Sequence, residues 1–229
     1  MGSSDTTLGG SDPRFPATSL GFAADLEQDA ARSLDTLARR YWKAVYSYLR
    51  IAWGRSNEDA KDLAQEFFAW LAEDGALAAY DRSKGGFRPF LKTLLRRFVG
   101  HDARDRARLK RGGGRAPLPL DGAVPDLRGE TDPERAFDRA WLAERVEEAV
   151  QRARLAHPER FRVYEAYALE ATAPSYADVA AQLGLGVGEV EKALYLVREE
   201  IRAGLRAALA QSAAGDRELE DEWNRLLGG

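Results

Sequence analysis

SYADVAAQLGLGVGEVEKALYLVREEIRAGLRAAL, residues 175–209, is two helices with a glycine between them. Ser175 stands just ahead of an apolar-periodic run, where a hydroxyl can cap a helix, and Gly184 ends that run. Beyond the break, Val190, Leu194, Val197, Ile201 and Leu205 recur in helical phase. Short helix, glycine turn, longer helix is the helix-turn-helix pattern. Ala180 and Ala181 are small enough for two helices to approach closely. On the second helix, Gly188, Lys192, Tyr195, Arg198 and Arg202 face outward, and the cations among them suit phosphates or base edges. Glu191, Glu199 and Glu200 repel phosphate and keep open a plainer reading, a helical hairpin inside a bundle.

Upstream the charge changes sign. Residues 82–115, RSKGGFRPFLKTLLRRFVGHDARDRARLKRGGGR, carry twelve Arg or Lys against two Asp, a net +10 in a chain whose total is −3. Self-pairing cannot neutralise such a run, and clustered cations attract polyanions with release of counterions. Phe87, Phe90 and Phe98 interleave with the cations, which suits an unpaired nucleic-acid strand. From Phe87 to about 110 the spacing predicts one helix, with Pro89 in its first turn and Phe87, Phe90, Leu91, Leu94, Leu95 and Phe98 facing inward. Before it, 58–73 (EDAKDLAQEFFAWLAE) predicts a helix buried through Leu63, Phe67, Trp70 and Leu71. Asp59, Asp62 and Glu66 lie on another stripe, either a solvated face or a docking face for a basic partner, and Ser56 or Asn57 is its cap. Residues 26–53 predict a further amphipathic helix.

The expected fold class is all-α, as two small helical domains joined by a flexible linker. The loose arm is 1–24, the first domain 25–111, the Gly- and Pro-bearing linker 112–131, the second domain 132–210 and the tail 211–229. Helices are expected from Asp132 onward and over 157–169. Leu219, Trp223, Leu226 and Leu227 form a stripe in the tail that packs back or binds a partner. The chain has no Cys and two His, His101 and His157, neither in a metal or triad spacing. No cofactor, no metal and no enzyme activity are expected. No run of eighteen apolar residues or signal-peptide pattern occurs, so a cytoplasmic protein without a membrane partner is expected.

Three pieces in this order resemble bacterial RNA polymerase sigma factors of the extracytoplasmic-function (ECF) group. Residues 59–68 (DAKDLAQEFF) are similar to the family's region 2.2, 86–111 to the segment that melts and reads the minus-ten element, and 175–205 to the region 4 reader of the minus-thirty-five element. The resemblance covers about 36–208. Residues 110–114 (KRGGG) and 15–18 (FPAT) resemble a branch common in planctomycetes and myxobacteria, often found beside Ser/Thr kinases. The resemblance implies that Asp59, Asp62, Leu63, Gln65, Glu66 and Phe67 dock on core polymerase through its β′ and β subunits. It implies that Lys84, Phe87, Arg88, Arg96, Arg97, Arg104, Arg106, Lys110 and Arg111 hold the opened strand. It assigns Gly188, Lys192, Tyr195, Arg198 and Arg202 to upstream promoter DNA. Lys61 departs from the pattern, standing where many members carry an acid. A phosphate on Ser56 would restore that charge, which makes Ser56 a candidate phosphosite for a Ser/Thr kinase; an anti-sigma factor is the other expected regulator. The competing function is a stand-alone helix-turn-helix regulator that binds duplex without polymerase.

Overall fold

The structure is a computed structural model that describes residues 30–54, 56–105, 125–168 and 174–228, with side chains of 34–100 in the first two stretches. The 1–24 arm and residues 112–124 of the expected linker lie outside these residues. The described residues hold eight α-helices and two short 3-10 turns, with no strand among them. They are α1 (Ala30–Trp53), α2 (Asn57–Glu73), α3 (Phe87–Asp105), α4 (Pro133–Ala156), α5 (Pro158–Ala168), α6 (Tyr176–Leu183), α7 (Val187–Ser212) and α8 (Asp216–Leu227). The fold is all-α. No helix among the described residues is long and apolar enough to cross a membrane.

Local chemistry sets the helix ends. Ser56 Oγ accepts from the Asp59 amide at 3.2 Å and starts α2. Asp132 Oδ1 accepts from the Glu134 amide at 2.9 Å, and Pro133 occupies the first turn of α4. Ser175 and Asp178 cap each other's backbone at α6, forming a capping box. Gly184 closes α6 at φ 68°, a left-handed conformation that glycine adopts without a Cβ penalty.

The apolar positions read from the sequence point inward. Leu37, Tyr41, Val45 and Leu49 of α1, Leu63, Phe67 and Leu71 of α2, and Phe87, Leu91, Leu94 and Leu95 of α3 share one core. Phe90 and Phe98 are half-buried at its edge. That core also takes in Phe137 and Trp141 of α4, Leu209 of α7 and Leu219 of α8. Thus α4, which follows the expected linker, lies against α1, and the start of α8 completes the first helical unit from the far end of the chain. A second cluster of Val163, Val179, Ala180, Val190, Ala193 and Leu194 holds the helix-turn-helix together. A third, Ala153, Phe161 and Val197, joins α4, α5 and α7.

Candidate nucleic-acid and polymerase interface

The α2 stripe is half surface and half core. Asp59, Asp62 and Glu66 are exposed and Gln65 is half-buried. Leu63 and Phe67 are buried, so they anchor the helix that carries the acids and present no free surface themselves. Lys61 lies 3.5 Å from Glu58 in an i,i+3 pair, so the one cation of this stretch is partly met by its own helix. Ser56 is exposed at the helix start.

The cations of α3 divide into two sets. Lys84, in the turn ahead of the helix, and Arg96 and Arg97 are exposed. Lys84 pairs with Asp81 at 3.2 Å and Arg96 with Glu134 at 2.9 Å. Arg88 is different: it is fully buried. Its guanidinium meets Asp138 of α4 at 2.5 Å and Glu222 of α8 at 2.8 Å, and lies 4.1 Å from the centroid of the Trp141 ring. Lys92, one turn on, reaches Asp138 at 3.2 Å, and Arg225 of α8 reaches the same carboxylate at 2.5 Å. Burial raises the Asp138 pKa; Arg88, Lys92 and Arg225 outweigh it and leave the carboxyl below its ordinary value. Phe87 is buried between Tyr41 and Tyr80, with ring centroids 5.5 and 5.2 Å away. Arg104 falls within α3 with its side chain outside the described part, and Arg106, Lys110 and Arg111 lie outside the described residues.

On α7, Gly188, Lys192, Tyr195, Arg198 and Arg202 are all exposed, as a reading face requires. Arg198 stacks near the Tyr167 ring at 5.4 Å and Arg202 pairs with Glu199. The acids that speak against phosphate contact are partly absorbed. Glu199 is held by Arg202, Glu200 is half-buried, and Glu189 accepts from the Gly186 amide at 2.7 Å. Glu191 stays exposed on the face. Leu185 and Val187, at the turn, are exposed apolar residues that the residue-by-residue reading did not single out.

The feature that reasoning along the chain missed is the network around Asp138 and Glu222. Its only sequence signal is Glu218, Glu222 and Arg225 at helical spacing in the tail, beside the apolar stripe that was read. No curated protein matches the chain. The family described as ECF sigma factor matches over residues 29–207, which spans α2, α3 and the helix-turn-helix. With that match covering most of its length, the chain belongs to the ECF sigma factor family, whose role is in transcription initiation.

Proposed function

We propose that this chain is the promoter-specificity subunit of a bacterial RNA polymerase, acting in the cytoplasm and without chemistry of its own. The observation that carries the reading is the family match across both halves, together with an exposed acidic face on α2 and an exposed polar face on α7. Asp59, Asp62, Gln65 and Glu66 dock on the β′ subunit, with Leu63 and Phe67 fixing that helix from within. Lys84, Arg96, Arg97, Arg104, Arg106, Lys110 and Arg111 hold the displaced promoter strand, while Phe87 and Arg88, expected to share that role, are buried and position the helix instead. Unstacking a base costs a few kcal/mol and needs such a partner. Gly188, Lys192, Tyr195, Arg198 and Arg202 engage the upstream duplex. The units 25–111 and 132–210 divide these tasks, with 112–131 spanning the promoter elements between them.

Ser56, exposed at the α2 cap, is the place where a kinase would add charge beside the docking acids. Ser56→Ala then abolishes any kinase-dependent gain in polymerase binding; full gain in the variant excludes the site. An anti-sigma factor is the other regulator that fits.

The test of the main reading is reconstitution with core polymerase and mapping of transcript starts. Binding to core and a shift of start sites are expected. Tight sequence-specific duplex binding by the isolated chain, without any effect on polymerase, would instead identify a stand-alone regulator.

A further inference from the structure

The described residues place the C-terminal helix on the start of the basic helix, and three kinds of contact hold it there. The first is ionic: Arg88, fully buried, is gripped by Glu222 at 2.8 Å while Arg225 ties the tail to Asp138 at 2.5 Å. The second is backbone recognition. Glu218 accepts from the Gly86 amide at 3.0 Å, and the Ala213 carbonyl accepts from Arg82 at 3.0 Å. The third is fit: a Cβ on Gly86 would lie 2.5 Å from Glu218 Oε1 and 2.5 Å from the Ser212 carbonyl oxygen. Gly86 is therefore the seat that lets the chain's end lie down on α3.

We propose that α8 is an autoinhibitory strap whose carboxylates occupy, on α3, positions that a single DNA strand's phosphates take when the strap lifts. This rests on the strand-holding role given to α3 above. The chemistry is of one kind on both sides. Glu218 and Glu222 are anions meeting a backbone amide and a guanidinium at the first turn of a helix, the same donors that phosphates seek. An open cleft of about 460 Å³, lined by Arg82, Ser83, residues 214–218 and Asp221, lies beside its near end. Displacement is reciprocal by necessity: a strand that binds α3 better with α8 released weakens the hold of α8 by the same factor.

The experiment uses full-length chain reconstituted with core polymerase. It compares wild type with Gly86→Ala, a steric wedge that changes no charge, and Glu222→Gln, which removes charge while keeping shape. Affinity for a non-template promoter oligonucleotide is measured by fluorescence anisotropy, and protection of the 216–227 amides by hydrogen exchange. Both variants are expected to bind the oligonucleotide more tightly, by roughly 5- to 150-fold, the range typical of coupled sites. In wild type, oligonucleotide is expected to lower protection across α8. Unchanged affinity in both variants, or full protection of α8 in the bound complex, overturns the strap. Failure of all three chains to bind core polymerase overturns the sigma reading instead. Should either variant lose its fold, as judged by circular dichroism, the wild-type exchange measurement decides alone.

Discussion

Asp138 is where the charge pattern of the chain is resolved. One buried carboxylate faces Arg88, Lys92 and Arg225, and a buried cation without its counter-ion is far costlier than an exposed one. Asp138→Ala is therefore expected to destabilise the fold by about 3–5 kcal/mol in urea melts, the usual cost of breaking a buried pair from one side. The same residue sets an acid response. Its pKa is lowered in the folded chain, so its contribution is fully present above the unfolded value of about 3.9 and fades as pH falls through the lower folded value. Thermal stability should decline below about pH 4 in wild type. Asp138→Asn should start less stable at neutral pH and lose less over that interval. Equal slopes for the two chains would show that the buried carboxylate does not set this response.

At the level of elements, caps do most to fix where helices begin. The Ser175–Asp178 box determines the start of α6, and α6 supports α7 through Val179 and Val190. Ser175→Ala should cost about 0.5–2 kcal/mol and lower duplex affinity through looser seating of α7, with no change in the exposed side chains of α7. On the face itself, Lys192→Ala should weaken duplex binding evenly across sequences and reduce the salt slope by about 1, as loss of one phosphate contact does. Caps, glycine stops and apolar phase are local, which is why α2, α4, α6 and α7 could be read from the chain within a few residues. The role of Arg88 could not. Its partners lie 50 and 134 positions away, and a count of neighbouring charges treats a gripped cation and a free one alike. The tail stripe was visible for the same reason the helices were, but the surface it covers was not. Leu63 and Phe67 illustrate the complement: the family motif and the helical phase both pick them out, and burial separates the two that anchor from the acids that face solvent.

Across the whole molecule, the first helical unit borrows core from later in the chain. Phe137 and Trp141 lie within it, and Trp141 also floors the Arg88 site, so one ring carries both apolar packing and the seat of the strap. The helix-turn-helix has its own cluster, with Val163, Val179, Val190 and Leu194. Damage at Trp141 should therefore spread unevenly. Trp141→Ala removes a fully buried indole and should cost about 3–5 kcal/mol. Its effect on hydrogen exchange should follow the clusters: amides of α1, the first turns of α3 and α8 lose protection, while those of α6 keep most of theirs. Trp141→Phe retains a ring beneath Arg88 and should recover part of the stability and of the α8 protection. If α6 opened together with α8 in the alanine variant, the clusters would act as one cooperative body, and release of α8 would carry the helix-turn-helix with it.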